Sequence, residues 1–206
     1  TYAVELTGSA VQGGLLFGRA EPGSRVLLDG TGVAISADGR FVIGFGRDET
    51  GVRVLEVTSP PGEIFRNDLR VQPSEYDIEV VDGLPQKTVT PDPESAARIR
   101  EDARMVDTAR QHRDNRAWYA SGFSWPATGR ISGVYGSQRI LNGEPRNPHF
   151  GLDIAAPEGT AVFAPADGLV TLAHPDMYYS GGTLILDHGQ GLSSTFLHLS
   201  KVLVES

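Results

Sequence analysis

The sequence predicts a mostly β chain in two parts joined by one long helix, on three observations. Glycine fills 25 of 206 positions, about 12% against a usual ~7%. There is neither a G-X-Y period nor a low-complexity tract, so the surplus means many tight turns. Short apolar runs are separated by Gly, Pro and Asp-Gly punctuation, the grammar of sandwiches and barrels. One stretch, residues 94–117, holds neither Gly nor Pro and repeats its apolar residues at helical spacing. Val, Leu, Ile and Phe make up about a quarter of the chain, above the roughly 20% below which disorder is expected.

Residues 1–84 read as a β-sandwich-like accessory domain. Arg25–Leu28 runs into Asp29-Gly30, Val33–Ser36 follows, and Asp38-Gly39 leads into Phe41–Phe45. Val52–Val57 is a two-sided strand and Tyr76–Val81 another. Asp-Gly pairs are short-range hairpin signals, and strand spacings of about 8–12 residues suit a sandwich. Residues 85–120 read as a Pro-rich linker and an amphipathic helix. Ile99, Ala103, Val106 and Arg110 follow 4-3-4 spacing over about six turns, with Asp92 or Thr90 as cap and Glu94 in the first turn. The helix charges form a solvated face, and His112 is expected among them at the surface. Residues 121–206 return to short strands: Ile131 to Val134, Leu152–Ile154, Ala161–Phe163, Leu169–Leu172, Thr183–Leu186 and Thr195–Leu197. Four of the five histidines lie there.

Composition excludes several functions. A formal net charge of -8 with pI near 5.1 argues against a nucleic-acid partner. The chain has no cysteine, which removes disulfides, thiolate zinc sites and thiol nucleophiles. No apolar run approaches the ~18 residues of a membrane span. Thr1-Tyr2-Ala3-Val4 reads as a mature or trimmed start, with no signal peptide in view. Neither a Gly-x-Ser-x-Gly elbow nor a phosphate loop with its Lys is present.

The string Pro148-His149-Phe150-Gly151-Leu152-Asp153 carries the most chemistry. Imidazole and carboxylate are both good Zn²⁺ ligands at roughly 2.0–2.2 Å. On a straight strand, four steps of about 3.3 Å hold them about 13 Å apart. A shared ion therefore requires a bend, which Gly151 permits; a surface His beside a turn Asp is the plain alternative. Elsewhere, His188 in Asp-His-Gly reads as a turn residue and His174 as loop surface. His198, between Leu197 and Leu199, would ordinarily be a satisfied core histidine. Arg139 and Asn142, in the loop before His149, are candidate substrate contacts or ordinary surface.

Further strings fix a family resemblance. Gly133-Val-Tyr-Gly136, His149-Phe-Gly-Leu-Asp153-Ile-Ala, Pro157-Glu-Gly-Thr160, Ala164-Pro-Ala-Asp-Gly168, Gly181-Gly182, Asp187-His-Gly189 and Leu197-His-Leu-Ser200 occur in order. Residues 131–201 thereby resemble the lysostaphin/LytM-type zinc metallopeptidases (metallopeptidase family 23), which cut peptide bridges in bacterial peptidoglycan. The resemblance implies a C-terminal LytM-type β domain, duplicated hybrid motif-like, and an extracytoplasmic location. It implies His149 and Asp153 as zinc ligands and His198 as a catalytic histidine near the metal-bound water. The family's third ligand and second catalytic histidine belong to a His-x-His motif that does not occur before Ser206. A fragment is the expected explanation. A degenerate member that binds without cutting, or His188 or His198 as third ligand, are the alternatives. The rival functions are a non-catalytic LytM-like scaffold that binds peptidoglycan or activates another hydrolase, and a biotinyl or lipoyl carrier. Residues 149–200 contain no Lys, and the carrier needs one at a hairpin tip.

Overall fold

The computed structural model describes residues 3–82 and 92–206. Most of the expected linker, and Thr90 with it, lies outside these residues. Among the described residues the chain is mostly β with one α-helix, and it divides into two compact units. One unit comprises Thr1–Pro85 with Arg130–Ala155, the other Gln86–Gly129 with Ala156–Ser206.

The first unit is built on two antiparallel sheets. Strands β1 (Glu5–Gly8), β2 (Leu15–Arg19) and β5 (Arg40–Gly44) form one; β4 (Thr31–Val33), β3 (Arg25–Leu28), β6 (Val52–Thr58) and β7 (Ile64–Arg70) form the other, each in that order. Their inner faces share one core, with Phe41, Leu55 and Val57 wholly buried beside Leu16, Val26, Ile43 and Leu69. Burying each such side chain is worth roughly 1.5–3 kcal/mol. Gly18 pairs with Phe41 in register, and a Cβ there would fall 2.0 Å from Phe41 Cζ. The ring thus occupies the space that a side chain at position 18 would need.

The two Asp-Gly pairs do different work. Asp29 and Gly30, both at positive φ, make the two-residue hairpin between β3 and β4. The strand expected through Ser36 stops at Val33. Ser36 instead closes a turn, with its Oγ donating to Asp38 Oδ1 and accepting from Arg40 N–H. That turn carries the chain from one sheet to the other.

Residues 130–155 add two small sheets to this unit. β9 (Arg130–Gly133) pairs with β12 (Asp153–Ala155). β10 (Gln138–Leu141) pairs antiparallel with β11 (Glu144–Pro145) and parallel with β8 (Ile78–Val81). The predicted strand at Tyr76–Val81 therefore joins a partner late in the chain rather than the sandwich.

The second unit places helix α1 (Pro93–Gln111) against the sheet β13 (Leu169–Met177), β14 (Gly181–Asp187), β15 (Ser193–Leu199), with β14 central. Asp92 caps the helix by accepting from Glu94 and Ser95 N–H, and Pro93 occupies its first turn. Ile99, Asp102 and Val106 face Met177 and Ser180. The helix spans 19 residues rather than six turns. It stops without Gly or Pro because His112 turns extended and Asp114 accepts from Arg116 N–H, an Asx-type turn that competes with the helix. Residues 161–163, expected as a strand, form none: Val162 and Phe163 are exposed, and Phe163 N–H donates to Pro126 O. Among the described residues, no helix is long and apolar enough to cross a membrane.

Candidate metal centre

The bend required of His149 and Asp153 is present. His149 Nε2 lies 3.2 Å from Asp153 Oδ1, against about 13 Å for a straight strand. Asp153 is the first residue of β12, opposite Gly133 of β9, and the pairing shifts register immediately after it. A Cβ on Gly133 would sit 2.3 Å from Asp153 Oδ2. The glycine leaves the room that the carboxylate occupies.

His149 is fixed by the turn at residues 134–137. Its N–H donates to Ser137 O at 2.8 Å, its carbonyl accepts from Gly136 N–H at 2.7 Å, and its Nδ1 lies 3.1 Å from Val134 O. A carbonyl cannot donate, so Nδ1 carries the hydrogen and, in the neutral ring, Nε2 presents a lone pair. Nε2 faces a carboxylate oxygen, and either a proton on Nε2, which makes the contact an ion pair, or a metal ion between the two satisfies both. Two ligands at 2.0–2.2 Å on a tetrahedral ion stand roughly 3.3–3.5 Å apart, close to the separation found. The pair fits two positions of a zinc site. Among the described residues, no group of three or more His, Cys, Asp or Glu side chains is arranged to hold a metal.

His198 lies in the other unit, on β15. Gly182 and Leu184 of β14 pair with Leu199 and Phe196, so Leu197 and His198 together oppose Thr183. This is a β-bulge, with His198 at φ 60° and its N–H donating to Ser180 O at 2.8 Å. A bulge re-aims its side chains. His198 and Leu197 are exposed, so His198 is not the core histidine its flanking leucines suggest.

His188, by contrast, is wholly buried. Its Nδ1 donates to Asp167 O and its Nε2 accepts from Ser194 Oγ, each at 2.7 Å. Neither nitrogen is left for a metal. His174 is part of β13, where its Nδ1 accepts from Asp176 N–H, rather than of a surface loop. His112 is at the surface as expected, and its Nδ1 also lies 2.6 Å from Oδ2 of the buried Asp187. Asp187 Oδ1 also accepts from Gly189 N–H. This pairing joins residues 75 positions apart, and no local spacing announces it.

Arg139 and Asn142 are brought to one hairpin. Arg139 Nε pairs with Glu79 Oε2 at 2.7 Å across the parallel strands. Asn142, at φ 51°, and Gly143 form the turn between β10 and β11, and Asn142 N–H donates to Val81 O.

Comparison with known proteins bears on these residues. Residues 147–206 match the profile described as Peptidase family M23. Peptidoglycan DD-endopeptidase ShyA of Vibrio cholerae is 42% identical over 60 residues, which are 28% of this chain and 13% of ShyA. Peptidoglycan DD-endopeptidase ShyB of the same organism is 38% identical over 60 residues, 28% of this chain and 13% of ShyB. Cell division protein DipM of Caulobacter vibrioides is 32% identical over 120 residues, 57% of this chain and 18% of DipM. The chain thus spans less than a fifth of each of these relatives. A crystal structure assigned to peptidase M23 from Pseudomonas aeruginosa superposes with a TM-score of 0.65 at 26% identity, covering 96% of this chain and 77% of that one.

Proposed function

We propose, from the premise that residues 147–206 are a peptidase family M23 segment, that the protein is a zinc-dependent endopeptidase acting on peptide cross-links of bacterial peptidoglycan. His149 and Asp153 are two of its zinc ligands, and it works outside the cytoplasm, where that substrate is. The observation that supports this reading is His149 Nε2 turned onto Asp153 Oδ1 at 3.2 Å, with Nδ1 committed to Val134 O.

When bound, zinc supplies Lewis acidity at the scissile carbonyl and lowers the pKa of a coordinated water towards about 7. The chain's own residues prepare the site. Val134 O holds the imidazole in the tautomer whose Nε2 is free for the metal, and Gly133 leaves space for the carboxylate. His198, exposed on its bulge, is the residue to which the family resemblance gives the catalytic-histidine role, that of a donor to a developing oxyanion. Arg139 and Asn142 would contact the peptide from their hairpin.

The test uses the protein extended past Ser206 and purified peptidoglycan. His149→Ala and Asp153→Ala should each abolish zinc retention, measured by metal analysis. His198→Ala should keep zinc and fold but lower cleavage by about 10²–10⁴-fold. Full zinc occupancy in either ligand variant removes the ligand assignment. Peptidoglycan binding without cleavage in the unmodified protein replaces the enzyme with a scaffold.

A further inference from the structure

We propose that Arg47, in the loop between β5 and β6 of the sandwich, is a positioning residue for His149; the inference rests on the reading of His149 as a metal ligand. Arg47 is buried, yet among the described residues its guanidinium reaches one carboxylate, that of the exposed Asp48, through Nη1 at 2.6 Å. A buried guanidinium must have its remaining donors satisfied. Nε and Nη2 both converge on a single main-chain oxygen, that of Gly136, at 2.9 and 2.7 Å. The oxygen belongs to a residue 89 positions away, in the turn that fixes His149.

From there the connection is continuous. Gly136 N–H donates to His149 O, His149 N–H donates to Ser137 O, and His149 Nδ1–H donates to Val134 O. Tyr76 closes the other side. Its ring lies 4.4 Å from Arg47 Cζ and its hydroxyl donates to Arg47 O. Gly136 sits at φ 86°, and a Cβ there would fall 2.0 Å from Tyr76 Cδ1. The turn is therefore gripped between a cation and an aromatic ring supplied by the N-terminal residues. Arg47 thereby sets where Val134 O lies, and so which tautomer His149 adopts and where Nε2 points. Lysine cannot reproduce a planar fork on one oxygen that also stacks on a ring.

The experiment titrates Co²⁺ into the 206-residue chain and follows the His149 ring by NMR. Arg47→Met should raise the Co²⁺ dissociation constant by about 10–100-fold, the range seen when groups that orient a metal ligand are removed. Imidazole ¹⁵N shifts in the metal-free protein should show His149 moving from the Nδ1–H tautomer towards a mixture. Arg47→Lys, which keeps the charge, should shift both readouts in the same direction. Leu55→Ala, a sandwich-core truncation remote from the turn, should lower the melting temperature but leave both readouts unchanged. If Arg47→Met does not fold, Arg47→Lys decides. Wild-type affinity and tautomer in the folded Arg47 variants, with affinity lost in His149→Ala, overturns the positioning role alone. Unchanged affinity in His149→Ala overturns the ligand assignment, and this inference with it.

Discussion

Gly133 is the residue through which backbone geometry reaches the candidate centre. Gly133→Ala places a methyl 2.3 Å from Asp153 Oδ2, and the carboxylate, a short exposed side chain, can rotate out of the way. In the protein extended past Ser206 the fold should survive while zinc affinity falls at least about tenfold, as a chelator competition would read; wild-type affinity would show that Asp153 is free to ligate from another rotamer. Asp114 is a second residue with a measurable signature. Hydrogen bonds from the Arg116 side chain and main chain hold its carboxyl down at about 2. The unfolded chain therefore takes up this proton first on acidification, and stability rises with pH between about 2 and 4. The contribution is complete above the ordinary aspartate range and is lost as pH falls through about 2. A carboxyl ¹³C titration should place the Asp114 midpoint there, and Arg116→Gln should return it towards 3.8, the unshifted value. The approach of His149 to Asp153 was legible as a bend that Gly151 permits, while their candidacy as ligands came from the family resemblance and not from their spacing. Arg47 and His112 were not: their partners are 89 and 75 positions distant, and no local period encodes such contacts.

Strand β15 pairs with β14 on one side, and among the described residues its other edge has no strand partner. Free ladder groups beside a 48% exposed Leu197 make an edge of the kind that recruits another chain. The 206-residue chain should associate as its concentration rises, and Leu197→Lys should suppress this, as light scattering across a dilution series would show. A wild-type chain that stays monomeric throughout would mean that the bulge at His198 already protects the edge. Element legibility followed the apolar signal. β6 and β14, rich in branched apolar residues, were plain in the sequence. β7 was not, because Phe65, Asn67 and Leu69 face inward between Arg66, Asp68 and Arg70, and the alternation is diluted by an inward Asn. β2 was obscured by Gly18, whose place in the core is taken by the Phe41 ring. The end of α1 depends on side-chain hydrogen bonds from Asp114 rather than on a breaker residue, so the Gly- and Pro-free stretch overstated its length.

For the molecule as a whole, the described residues offer His149 and Asp153 but no third partner arranged with them. Two ligands hold zinc poorly. The 206-residue chain should lose the metal on desalting and hydrolyse peptidoglycan little or not at all; one tightly held zinc per chain, with substantial hydrolysis, would refute this and require an unrecognised ligand. The sandwich and the C-terminal sheet could both be anticipated from turn punctuation. The grouping of Arg130–Ala155 with the N-terminal residues could not, since it depends on β8 accepting β10 as a parallel neighbour. That pairing also has a meaning in time. At a synthesis rate of about 5–20 residues per second, β10 leaves the ribosome roughly 3–11 s after β8. Throughout that interval the sandwich can fold, while Ile78 and Val80 wait without their partner strand. A nascent chain paused before Gln138 therefore presents to chaperones a finished domain with one strand still unclaimed.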